Sequence, residues 1–156
     1  LRCLVGSEMC IRDRYSGNHP LHAWTGVSTE ASGSITYNEN SETGSVRIEV
    51  PLSSFDSKLS SRDSNMLYYT EALDYPTVVF QSSKVTVGRT SAGIEGKLTF
   101  HGVTQPLRVT ASFDKKNKIV KGDFSIRLSD FEVERPSLLF VKIDDDIAIN
   151  FKFEFK

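Results

Sequence analysis

Cysteine is almost absent from this chain. Its two copies, Cys3 and Cys10, both fall within the first ten of 156 residues, so no disulfide can join distant parts of the fold. Histidine occurs three times and tryptophan once, at Trp24. Neither sign of charge is in excess: 19 Lys and Arg stand against 20 Asp and Glu, a net charge of −1. A binder of nucleic acid or another polyanion shows a basic excess or a basic stripe, and this chain has neither, so no nucleic-acid partner is expected. No apolar run approaches the roughly 20 residues that cross a bilayer as a helix, so the chain is not expected to be membrane-spanning. Gly-rich phosphate loops and the G-x-S-x-G elbow are missing too, which leaves nucleotide chemistry and a serine hydrolase without support. The length suits a single domain with a substantial core.

Leu1–Arg14 (LRCLVGSEMCIRDR) has no alternation, no cap and no apolar stretch of signal-peptide length. The string resembles translated sequencing-adapter read-through; an ordinary disordered terminus is the plainer alternative. Residues 1–14 are therefore set apart from a domain spanning 15–156, and a first strand and an export signal are expected to have been displaced by them.

From Tyr15 onward the governing period is two, the mark of strands with one dry and one wet face. Val46, Ile48 and Val50 alternate with polar neighbours; so do Ile94, Gly96, Leu98 and Phe100, then Leu107, Val109, Ala111 and Phe113, then Phe124, Ile126 and Leu128. The last strand is the clearest, with Ile147, Ile149, Phe151, Phe153 and Phe155 on one face. Polar breaks at Asn38–Gly44, His101–Pro106 and Asp114–Lys118 sit at hairpin spacing. The pattern predicts an all-β fold of about eight antiparallel strands, a meander closing on itself. One segment departs from it. Ser60–Leu73 opens with Ser60 and Asp63 at capping-box spacing and sets Met66, Tyr69 and Leu73 on one helical face, predicting one short helix near residues 60–73 that ends at Tyr75-Pro76.

Convergent chemistry is sparse. His19 and His22 flank a proline in HPLH, which argues against the helix that would aim both at one metal. His101, between two strands, reads as a turn residue bonded to backbone. Asp144–Asp146 lacks the alternating oxygens and glycine of a calcium loop and reads as a solvated loop. No catalytic residue, metal ligand or cofactor is therefore assigned. The inward phenylalanines (Phe80, Phe100, Phe113, Phe124, Phe151, Phe153, Phe155) fit either a packed core or a lumen holding one small ligand.

Several strings in order are similar to those of the YceI-like family: HPLHAWTGVS (His19–Ser28), SFDSKLSSRDSNM (Ser54–Met66), EALDYPTVVFQS (Glu71–Ser82), GKLTFHGVTQPL (Gly96–Leu107), then DFEVERPSLLF and DDDIAINF. The resemblance runs from His19 to the C-terminus. It implies an eight-stranded lipocalin-like barrel with a helix inserted after the S-F-D-S strand, and a non-enzymatic role in binding, transport or sequestration. The ligand it implies is a hydrophobic small molecule, a polyisoprenoid or quinone-like long-chain lipid, held in the barrel interior. The lining residues would be His22 and Trp24 at the mouth, Val46 and Ile48, Met66 and Tyr69 from the helix, then Phe80, Leu98, Phe100, Phe124, Ile126, Ile149, Phe151 and Phe153. The family is generally periplasmic or secreted, and a protruding ligand tail would favour a homodimer. Two other readings stay open: an enzyme acting on a small hydrophobic substrate inside the barrel, and a packed barrel serving as an interaction module.

Overall fold

In the computed structural model the described residues are 2–5, 12–38, 43–114 and 116–154. The period-two segments form strands, because alternating apolar side chains bury one face of a sheet and leave the other wet. Twelve strands are present among the described residues: β1 (Arg2–Val5), β2 (Arg12–His19), β3 (His22–Ser28), β4 (Ser32–Asn38), β5 (Thr43–Pro51), β6 (Thr77–Val87), β7 (Ser91–Phe100), β8 (Val103–Asp114), β9 (Ile119–Arg127), β10 (Ser137–Leu138), β11 (Val141–Lys142) and β12 (Asp146–Glu154). Ten of them make one antiparallel sheet in the order β1-β4-β5-β6-β7-β8-β9-β12-β2-β3, and β10 pairs with β11 as a separate hairpin.

The architecture is the expected all-β meander, with two differences. The main sheet has ten strands rather than eight, since β1 and β2 extend it through Arg2–Val5 and Arg12–Arg14. The sheet also curls without a continuous closing ladder among the described residues: its end strands are β1 and β3. Across that opening, β3 is joined to the chain after β5 by one bridge, Val27 N–H to Asp56 O at 3.0 Å and Asp56 N–H to Val27 O at 2.9 Å. The S-F-D-S stretch is therefore a 3-10 turn (Leu52–Ser54) followed by this single bridge, not a strand.

The helix α1 spans Ser60–Tyr69 and stops short of Leu73. Its end is a Schellman motif: Glu71 is left-handed (φ 47°), Ala72 N–H reaches Leu67 O at 3.0 Å, and Glu71 N–H reaches Tyr68 O at 3.1 Å. Leu73 consequently leaves the helical face and is fully exposed. The capping box is not formed either. Leu59 is the N-cap, and the Asp63 carboxylate instead accepts the Ser57 N–H, at 3.0 Å to Oδ1. Between β7 and β8 the break is a two-residue turn, His101 and Gly102, both at positive φ. Pro106 sits inside β8, opposite Lys97.

Buried residues gather in two clusters, one around Ala31, Val46, Ile48, Val85 and Phe153, the other around Leu52, Leu98, Phe100, Phe131 and Ile147; Phe80 packs against both. No helix among the described residues is long and apolar enough to cross a membrane.

Candidate functional site

Inward side chains from nine strands of the main sheet leave space between those clusters: a cavity of about 460 Å³, within the size range of small-molecule sites. Along the main contributing strands its wall takes one residue in two, such as Val46, Ile48 and Val50 from β5 and Ile147, Ile149, Phe151 and Phe153 from β12. All fourteen residues anticipated as lining (His22, Trp24, Val46, Ile48, Met66, Tyr69, Phe80, Leu98, Phe100, Phe124, Ile126, Ile149, Phe151, Phe153) border this one space. Phe113 lies on the same sheet but does not reach the cavity, and Phe155 is outside the described residues.

Aromatic rings lie flat on the wall because glycines make room for them. A Cβ on Gly122 would stand 2.6 Å from the ring of Phe151, its cross-strand partner, and one on Gly96 would stand 2.7 Å from Phe80. A side chain at either glycine would push the ring into the lumen.

One helical face closes part of the space. Arg62, Asn65, Met66 and Tyr69 recur at helical spacing and all border the cavity. The Arg62 guanidinium sits 5.6 Å from the Trp24 ring centroid, and its NH1 donates to Ser57 O at 3.4 Å. Trp24 in turn neighbours His22 (5.5 Å between centroids), and His22 neighbours His19 (5.8 Å). His19 is buried. Its Nδ1 accepts the Leu21 N–H at 3.2 Å, so its Nε2 carries the proton and donates to Val141 O at 3.1 Å. Both ring nitrogens are thus used, and among the described residues no cluster of three or more ligand side chains is placed to hold a metal.

Two polar groups inside the cavity escaped sequence reasoning. Asp13 is 5% exposed, borders the lumen beside its partner Phe151, and its Oδ2 has no hydrogen-bond partner. Burial pushes its carboxyl from 3.8 up to about 7. Tyr15, two residues on, packs edge-on against Phe55 at 5.3 Å, and its hydroxyl is likewise unpartnered. Burial raises its ionisation above the ordinary phenol range, and the Asp63 charge adds to the rise. The Trp24 indole and Arg62 partly offset it, although no hydrogen bond of normal geometry reaches the hydroxyl. Period-two counting backward from His19 would have found both.

The other polar candidates stand outside the cavity. His101 Nδ1 lies 2.9 Å from Phe131 O and Nε2 3.0 Å from Glu71 Oε2, which ties the β7–β8 turn to the end of α1. Neither His101 nor Glu71 borders the lumen. Asp144 and Asp146 of the acidic run are exposed, and two of its three carboxylates accept hydrogen bonds. Asp144 accepts from Asn18 at 2.9 Å, while Asp145 accepts the Ser129 N–H and hydroxyl, and the latter bonds hold its carboxyl below the usual range.

Comparison with known proteins agrees with this geometry. The family model described as the YceI-like domain matches residues 14–155. A UPF0312 protein of Pseudomonas putida (strain GB-1) is 25% identical over 136 residues, covering 80% of this chain and 71% of that protein. One from Pseudomonas savastanoi pv. phaseolicola is 29% identical over 102 residues, covering 60% of this chain. The chain spans about half the length of that and several other curated relatives it matches. Among solved structures, Burkholderia cenocepacia BcnA superposes with a TM-score of 0.80 at 19% identity, over 92% of this chain and 94% of BcnA. A polyisoprenoid binding domain from Saccharophagus degradans superposes at 0.72 and 15% identity, over 99% and 98%.

Proposed function

The chain belongs to the YceI-like domain family, and from that premise we propose that it is a non-enzymatic carrier or sequestering protein for a long-chain amphiphile of isoprenoid or quinone-like type. The observation that carries this reading is the apolar cavity of about 460 Å³, walled by inward residues of nine strands and one helical face. Burying one methylene is worth about 0.8 kcal/mol, so ten buried methylenes offer about 8 kcal/mol, from which the ordering cost of binding is subtracted, and each further buried methylene adds to the surplus without a charged anchor. The structural neighbour from Saccharophagus degradans, described as a polyisoprenoid binding domain, supports the same ligand class. Trp24, His22 and Arg62 would meet the polar head at the mouth while the apolar wall takes the chain.

The remaining readings find less support. An enzyme of the kind considered would need a histidine facing a carboxylate inside the lumen, and among the described residues the histidine–carboxylate ion pair, His101 with Glu71, is outside it. A packed interaction module would have no lumen. The family's usual export points to a periplasmic or secreted home. The family match covers residues 14–155, and Asp13, just before it, puts a carboxylate oxygen without a hydrogen-bond partner where the inward pattern calls for an apolar side chain.

Solvent extraction of the purified full chain followed by mass spectrometry tests the proposal. A long-chain amphiphile should be recovered, and the stripped protein should take up a fluorescent polyprenyl or acyl probe. Recovery of no lipid together with no probe uptake would overturn it.

A further inference from the structure

The hairpin β10–β11 breaks two local rules at once. Its two-residue turn has both central residues left-handed, Leu139 at φ 51° and Phe140 at φ 66°, where Asn-Gly is the favoured pair and bulky side chains are strained. Those side chains also face water: Leu139 is 73% exposed and Phe140 fully so, with Leu138 and Val141 each 45% exposed behind them. A tip of consecutive apolar residues on a strained turn makes sense where its working surroundings are not water.

The root of the hairpin is anchored. Val141 O accepts from His19, Ile143 N–H donates to Pro136 O at 3.0 Å, and Asp144 N–H donates to Asn18 O at 2.9 Å. This fixes the tip next to the β2–β3 turn, where Leu21 is 64% exposed. Pro136, Ser137 and Leu138 border the cavity, with Glu134 at the rim, so the apolar ridge is continuous with the lumen. The Lys142 side chain, exposed at the hairpin base, makes no hydrogen bond or ion pair among the described residues. Of the nearby acids, Asp145 faces Ser129 and the Arg135 guanidinium, while Asp144 accepts from the neutral Asn18 amide and keeps its charge.

We propose that the β10–β11 tip, with Leu21 and Lys142 beside it, is a docking element that inserts into the interfacial layer of an anionic lipid bilayer and opens the cavity mouth toward it. The proposal rests on the carrier reading, since a ligand that lives in membranes must cross from bilayer to lumen without exposing its chain. A second copy of the protein fits the ridge less well. Stable protein interfaces bury roughly 800 Å² per partner over some 20–30 residues, whereas a few apolar side chains beside a cation suffice for interfacial attachment.

The test is flotation of the full chain with vesicles of phosphatidylethanolamine containing a minority of phosphatidylglycerol, alongside Leu139→Asn/Phe140→Gly. That double variant restores a favoured hairpin turn, so its melting temperature should not fall; Phe140→Glu is a second, single-site variant. The wild type should float with the vesicles, and both variants should bind about tenfold or more weakly. Probe uptake from vesicles should slow in step, while the amount of probe held at equilibrium should be unchanged. If the variants float as the wild type does, the proposal fails. It fails also if nothing floats and the wild type sediments as a dimer that the variants dissociate. If neither protein holds probe yet flotation still separates them, docking stands and the carrier reading falls.

Discussion

Gly17 lies directly beneath the ring of Trp24. The two are cross-strand partners on β2 and β3, and a Cβ on Gly17 would stand 2.5 Å from Trp24 Cζ2. The absence of a side chain at Gly17 therefore lets the indole lie flat at the cavity mouth, within reach of Arg62 on the helix. Gly26 serves Tyr15 in the same way, with the would-be Cβ only 2.1 Å from the phenol ring.

Gly17→Ala should tip Trp24 off the wall and break its contact with Arg62. Overpacking of this kind costs about 1–3 kcal/mol. Because Trp24 is the sole tryptophan, the displacement should shift the intrinsic emission, and probe affinity should fall with it. Unchanged emission and unchanged affinity would show that the flat ring is not needed at the mouth.

Stability should depend on pH through Asp13. Its folded carboxyl titrates at about 7 rather than 3.8. Between those values the folded state holds a proton that the unfolded state has released, so stability falls as pH rises through this window. The full span corresponds to about 4 kcal/mol. Asp13→Val should flatten that slope in urea titrations and raise stability at pH 7 and above. A wild type whose stability is level from pH 4 to 8 would rule the effect out.

The lumen was largely legible because it depends on period two, and Val46 or Ile149 faces inward by parity alone. Features resting on a single backbone conformation were not. The helix end needs Glu71 left-handed, and glutamate carries no such preference, so Pro76 was the visible stop and Leu73 was misplaced. The β10–β11 hairpin hides for the same reason: Leu139-Phe140 is not turn chemistry. Proline misled in the opposite direction, since Pro106 marks a break on composition yet sits inside β8. The fit of Gly17 to Trp24 requires strand register, which spacing alone does not supply.

His101 should prove structural. It holds a left-handed turn position (φ 51°) and hydrogen-bonds Phe131 O and Glu71 with its two ring nitrogens. His101→Asn keeps a residue tolerant of that conformation and loses both bonds, for a cost of about 1–2 kcal/mol. His101→Val adds β-branched strain and should be worse by about 1–2 kcal/mol again. Urea midpoints give the order wild type, Asn, Val, and probe affinity measured below the unfolding range should hardly move. A loss of binding in a folded His101→Asn protein would instead place this residue in the ligand's path.

Filling the lumen separates ligand capacity from stability most directly. Ile149 is only partly buried because its side chain faces the open cavity on β12, between β9 and β2. The extra volume of Ile149→Trp can occupy space that is already empty, so overpacking should stay near the low end, about 1 kcal/mol. The lumen it fills is the one a long chain would need. The variant should therefore melt close to the wild type, hold little or no extractable lipid, and reject a polyprenyl probe. Phe124→Ala, on the neighbouring strand, works in the opposite sense, enlarging the lumen at about 3–5 kcal/mol of stability while leaving room for the chain. Retention of lipid by the folded Ile149→Trp protein would mean that the ligand does not run through the barrel, whatever the shape of the cavity.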